Sequence, residues 1–146
     1  MPFLNTTTIQ PSGLEKIAAS EAKISLFDFC SNTPLLKTLK SIGCNFLNNW
    51  NVSKVQAFES MFTSAIAFNQ PLDNWITTDA KHMNGMFNNA ESFNQPLTNF
   101  VTNNVINMEA MFKNAEDFDQ PLSHFNTEKV TNMKSLFQGA EEFNQN

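Results

Sequence analysis

The 146-residue chain has no tyrosine and no arginine, and only four glycines, two cysteines and two histidines. Without arginine it lacks the bidentate contacts to phosphates and base edges that specific readout favours. Its nine lysines are scattered through a sequence of net charge -5, with no basic face among them. These two features together exclude a nucleic-acid-binding footprint. No apolar run approaches the roughly 20 residues needed to cross a bilayer, so no membrane span is expected. The opening Met1-Pro2-Phe3-Leu4-Asn5-Thr6 has neither the basic start nor the apolar stretch of a signal peptide, so the chain as written is expected not to be addressed for export. Cys30 and Cys44 match neither a disulfide framework nor a zinc-ligand spacing. They read as two small buried apolar residues.

What is present is repetition. Fifteen phenylalanines and seven methionines stand largely at copied positions. Met61-Phe62, Met86-Phe87, Met111-Phe112 and Leu136-Phe137 recur every 25 residues. In register with them run Phe58, Met83, Met108 and Met133; Ala65, Ala90, Ala115 and Ala140; and Phe68, Phe93, Phe118 and Phe143. Pro71, Pro96 and Pro121 precede Leu72, Leu97 and Leu122, and Trp75, Phe100 and Phe125 follow three residues after each leucine. A fixed period of this length marks a stacked-repeat architecture, in which one unit cannot bury its apolar face alone and neighbours join into a continuous core.

Within a unit, Met108, Met111, Phe112, Ala115 and Phe118 fall at i, i+3, i+4, i+7 and i+10, one face of a helix. Pro121 must end that helix, and a turn with a short extended stretch follows. The expected fold is therefore an α/β solenoid of 25-residue coils over residues 47–146, each coil a short helix plus a short extended strand. Residues 1–46 do not follow the repeat and are expected to form a mostly helical N-terminal cap, with helices opening at Ser12 and Pro34.

The pattern Val130-Thr131-Asn132-Met133, followed by Leu136-Phe137, Ala140 and Phe143-Asn144-Gln145, resembles the BspA-like surface-protein repeat, also found in mycoplasma-type lipoproteins. The resemblance covers roughly residues 47 to 146. It implies leucine-rich-repeat-like coils and surface or adhesive roles, and it carries no catalytic or ligand residues with it.

Candidate sites are few. His82 and His124 occupy different repeat positions and read as surface replacements for asparagine. Glu91, Glu116 and Glu141 share a column, flanked by Asp117 and Glu142, but the alternating acids and turn glycine of a calcium loop are missing. Asn69, Asn94, Asp119 and Asn144 are expected to bond backbone at the turn before proline. Trp50, Trp75, Phe100 and Phe125 are expected in the core.

No nucleophile–base pair, phosphate loop or metal cluster is evident, so an enzyme, a metal and a cofactor are not expected. A protein partner is. Binding is expected where copies differ: Thr77, Thr78 and Asp79, Thr102, Asn103 and Asn104, and Thr127, Glu128 and Lys129. Phe137 and Phe143 are expected to mark a C-terminal coil open to self- or hetero-association. Two readings follow: a non-enzymatic protein-interaction scaffold with a surface or adhesive role, or a structural component of a capsid, envelope or surface layer that docks through its coil edges.

Overall fold

In the computed structural model of the protein the described residues are 47–145. The expected helical cap, with Cys30 and Cys44, lies outside them. Four coils of the 25-residue period follow one another at 47–71, 72–96, 97–121 and 122–145. Their backbones stack in parallel, with bridges running Ala57 to His82, His82 to Asn107 and Asn107 to Asn132.

The coils are not built from helices and strands. Among the described residues the only helical element is one 3-10 turn, Leu47–Asn49, and no sheet forms beyond the isolated bridges. This overturns the α/β, leucine-rich-repeat-like expectation. The second coil shows what replaces it. Six four-residue turns close it, from Trp75 N–H to the Leu72 carbonyl, Ala80 to Thr77, Met86 to Met83, Asn88 to Gly85, Ala90 to Phe87 and Phe93 to Ala90.

Between these internal bonds, alternate amides point along the stack. Met83, Gly85, Phe87 and Asn89 donate to the carbonyls of Asn107, Glu109, Met111 and Lys113 in the next coil, at 2.8–2.9 Å. Phe58, Ser60, Phe62 and Ser64 do the same one coil earlier, and Met108, Ala110, Phe112 and Asn114 one coil later. Backbone amides must be paired when buried. An α-helix pairs its amides beyond the first turn within itself, whereas here they alternate between partners inside the coil and partners across it.

The backbone conformation enforces the alternation. Ser60, Gly85, Ala110 and Ser135 form one column of positive φ, and Ser64, Asn89, Asn114 and Gly139 form a second, four residues further on. A left-handed residue every fourth position cannot lie in a right-handed helix. Seven of the eight positions carry serine, asparagine or glycine, weaker helix formers than alanine, and Ala110 is the exception. Gly139 also stands where a Cβ would press into the Asn114 side chain. A separate helix of about eleven residues would be marginal in water; the stack gives the same residues inter-coil bonds and aromatic neighbours.

The inward residues are those that the spacing indicated, carried on turns. Phe62, Phe87, Phe112 and Phe137 stack with ring centroids 5.5–5.6 Å apart, and Phe68, Phe93, Phe118 and Phe143 stack beside them at 5.6–6.0 Å. Within each coil the two rings also lie face to face, at 4.0–4.2 Å. Offset parallel rings are a favoured aromatic geometry, and each pair adds about 0.5–1.5 kcal/mol beyond area burial. Trp75 is fully buried and its indole N–H donates to the Leu47 carbonyl at 2.7 Å.

Candidate functional site

The lateral columns expected to meet a partner divide into two kinds. Thr77 and Thr102 are buried. The Thr77 hydroxyl donates to the Val101 carbonyl and accepts from the Val101 N–H, both at 2.9 Å. Thr102 does the same to Asn126, at 3.0 and 2.7 Å. Each threonine is an inserted rung between coils and presents nothing outward.

The rest of that region is surface. Thr78, Asn103, Asn104, Glu128 and Lys129 are exposed and Asp79 is half-exposed. Much of its polarity is turned along the stack. Lys54 pairs with Asp79 at 3.3 Å, Asn104 Nδ2 donates to the Thr78 carbonyl at 3.2 Å, and Lys129 Nζ donates to Asn104 Oδ1 at 2.8 Å. Glu128 is held through its backbone N–H by Asn126 Oδ1.

A further polar ladder runs along the asparagine column. Asn69 Oδ1 accepts from the Asn94 N–H and from Gln95 Nε2. Asn94 Oδ1 accepts from the Asp119 N–H and Gln120 Nε2, and Asp119 Oδ1 from the Asn144 N–H and Gln145 Nε2. These side chains bond backbone as expected, but in the following coil and not at their own turn. The Gln145 amide, then the Asn144 N–H, stabilise the Asp119 carboxylate and hold its pKa below the ordinary value. His124 takes part similarly: its Nε2 lies 2.9 Å from the Leu97 carbonyl and its ring meets Phe125 edge-on. Among the described residues no group of three His, Cys, Asp or Glu is placed to hold a metal.

Phe137 and Phe143 belong to a different surface. Each has one face on the preceding coil and is only partly buried. Around them Leu122, Phe125, Val130, Met133, Leu136 and Ala140 stand in columns that the second and third coils bury completely or nearly so; Met133 is 44% exposed where Met108 is 1%. The polar groups of this coil are open in the same direction. The amides of Met133, Ser135, Phe137 and Gly139, equivalent to donors in every earlier coil, have no acceptor among the described residues. Thr127, third in the threonine column, is exposed and holds no rung. The open side of 122–145 is thus one entire coil-to-coil interface, apolar columns and polar rungs together, left uncovered by the described residues. The sequence singled out Phe137, Phe143 and Thr127, the threonine as a lateral contact, and carried no sign of the backbone donors.

Residues 31–146 match the family described as Mycoplasma protein of unknown function, DUF285. The chain belongs to the DUF285 family. The match opens ahead of Leu47, where the 25-residue pattern first becomes legible. No curated protein and no solved structure matches the chain. Membership in DUF285 brings the repeat with it and attaches no activity. Among the described residues of this DUF285 chain, no helix is long and apolar enough to cross a membrane.

Proposed function

We propose that this DUF285 chain is a non-enzymatic interaction scaffold that engages protein through the open side of its last described coil. The observation that carries this is the contrast within single columns: side chains that the second and third coils bury, and amides that the first three coils pair, are left uncovered by the described residues in the fourth. The lateral columns support it less, because their side chains already bond from coil to coil. Resemblance to BspA-like surface repeats is in keeping with a binding role, since fold and repeat alone fix no chemistry. The same edge favours the structural reading too, a part packed into a larger assembly, because contiguous exposed apolar surface marks an interaction site.

Light scattering of the purified 146-residue chain over a concentration series tests the reading. The expected result is mass that rises with concentration, and a monomer at all concentrations for Phe137→Asp. Met133→Lys, at a position already well exposed, should act in the same direction without disturbing the fold. Association indifferent to both substitutions would sink this edge as the contact, and a wild-type chain that stays monomeric throughout would remove the assembly reading and favour a scaffold for a different protein.

A further inference from the structure

Of the many asparagines in the chain only Asn84 is followed by glycine. The glycine is there for the backbone: Gly85 has φ 62°, in the column of left-handed residues with Ser60, Ala110 and Ser135. The equivalents of Asn84 in the other coils are Glu59, Glu109 and Lys134. The second coil alone therefore joins a side-chain amide to a following nitrogen that no side chain shields.

That pairing is the one in which a main chain most readily attacks its own side chain. The Gly85 nitrogen gives its proton to hydroxide and attacks Asn84 Cγ. A new N–Cγ bond closes a cyclic imide, the Cγ–Nδ2 bond breaks, and ammonia leaves with a proton taken from water. Water then opens the imide. Cleaving the new N–Cγ bond leaves aspartate; cleaving the original peptide bond leaves isoaspartate, in which the main chain runs through Cβ and Cγ of residue 84. A water is consumed, an ammonia is released, and nothing is oxidised or reduced.

The stack holds this reaction shut. The peptide unit between Asn84 and Gly85 is bonded by a different coil at each end. Its carbonyl accepts from the Ser60 N–H of the first coil at 2.9 Å, and its N–H donates to the Glu109 carbonyl of the third at 2.8 Å. The attacking nitrogen is thus occupied as a donor, and the peptide plane cannot turn toward the side chain without breaking rungs on both sides. Asn84 and Gly85 are only half-buried, so water and hydroxide reach them once the rungs part.

We infer that Asn84–Gly85 is a self-modification site gated by the stack, at which a transient parting of the second coil from its neighbours is made permanent. Isoaspartate adds a main-chain atom ahead of Gly85 and carries the Gly85, Phe87 and Asn89 amides out of step with the carbonyls of Glu109, Met111 and Lys113. Aspartate keeps the register but sets a third carboxylate in the column of Glu59 and Glu109, where like charges repel. Either product weakens the junctions that the original asparagine leaves intact.

The test ages the intact 146-residue chain at mildly alkaline pH, in buffer and in urea that unfolds it. Mass spectrometry of the peptide cut at Lys81 and Lys113 locates each exchange of NH2 for OH, and chromatography separates isoaspartate from aspartate. In urea Asn84 should lose its amide faster than any other asparagine of that peptide. In buffer the loss should slow by about tenfold or more, in step with hydrogen exchange at the Gly85 amide. Phe112→Ala, which loosens the junction with the third coil, should speed it in buffer. The converted chain should unfold at lower denaturant, while Asn84→Gln, whose longer side chain closes the ring poorly, should keep its midpoint through the same ageing. Loss from Asn84 as fast in buffer as in urea overturns the gate. A rate in urea no greater than that of the other asparagines overturns the site, and an unchanged midpoint after full conversion overturns the consequence.

Discussion

The third and fourth coils carry nearly the same residues and live in different surroundings. Leu97, Phe100, Val105, Met108, Met111, Phe112, Ala115 and Phe118 are each at most 2% exposed. Their counterparts Leu122, Phe125, Val130, Met133, Leu136, Phe137, Ala140 and Phe143 are all at least partly open to solvent. Nothing in the residue types accounts for this, because phenylalanine faces phenylalanine and leucine faces leucine. Burial in this molecule belongs to the junction between coils, and a coil with one junction has half of what a coil with two has. Stability in such a stack is a sum over neighbours, so the third coil should be firmly held and the fourth should be the first to open.

The largest expected effect breaks the comparison at its centre. Phe112→Ala removes a ring stacked on Phe87, Phe118 and Phe137 and should cost about 3–5 kcal/mol, the usual range for a buried phenylalanine. Phe137→Ala removes a ring with one coil neighbour and one ring neighbour, Phe112 and Phe143. Its cost should be roughly half as large, since the open side forms no cavity wall. Denaturant unfolding of the two variants measures the ratio. Equal losses would mean that the last coil is as well covered as the third.

The period and its inward columns could be read from the residues; the way the chain turns could not. A helix and a run of overlapping four-residue turns both bring positions 108, 111, 112, 115 and 118 to one side, so hydrophobic spacing does not distinguish them. The columns that do distinguish them carry small residues with no hydrophobic signal: Ser60, Gly85, Ala110 and Ser135, and Ser64, Asn89, Asn114 and Gly139. Two of the four glycines in the chain stand there. The binding columns were misjudged at Thr77 and Thr102 for a related reason. Threonine in a variable, polar stretch looks like surface, and only the register with the neighbouring coil shows its hydroxyl bridging Val101 or Asn126. Phe137 and Phe143 could be placed at an edge because they are the last members of their columns.

Ala110 sharpens this contrast between helix and turn. Its φ is 53°, a conformation that costs a residue with a Cβ about 1–2 kcal/mol relative to right-handed geometry. Ala110→Gly relieves that strain and should raise stability by up to about 1 kcal/mol, the gain being reduced by glycine's greater freedom in the unfolded chain. In the interior of a helix the same change would lower stability by about 1 kcal/mol. Ala115, five residues on in the same coil and outside the positive-φ columns, should lose stability when changed to glycine. Opposite signs at 110 and 115, read from denaturant midpoints, are the signature of turns; a loss at both would restore the helix.

The smallest effect concerns the rung that joins the two coils under comparison. Asn94 and Asp119 occupy the same column and do the same thing, each Oδ1 accepting a backbone N–H and a glutamine amide from the coil that follows. Only Asp119 titrates. Its carboxylate is held below its usual pKa of 3.8 by Gln145 and then by the Asn144 N–H, so folding favours the ionised form. The depressed pKa means that the stabilisation is fully present above the unfolded value and is lost as pH falls through the folded one. Acidification from just above pH 3.8 downward should therefore loosen 144–145 in the wild-type chain. Asp119→Asn copies the Asn94 rung, keeps both acceptor bonds and should remove that part of the pH dependence. The side chain lies at the surface, so the difference is best read locally, from exchange at the Asn144 amide across the pH range in both proteins, corrected for the intrinsic rate. An Asn144 amide equally protected at low pH in both would mean that the ionised oxygen adds nothing to the rung that a neutral amide oxygen does not already supply.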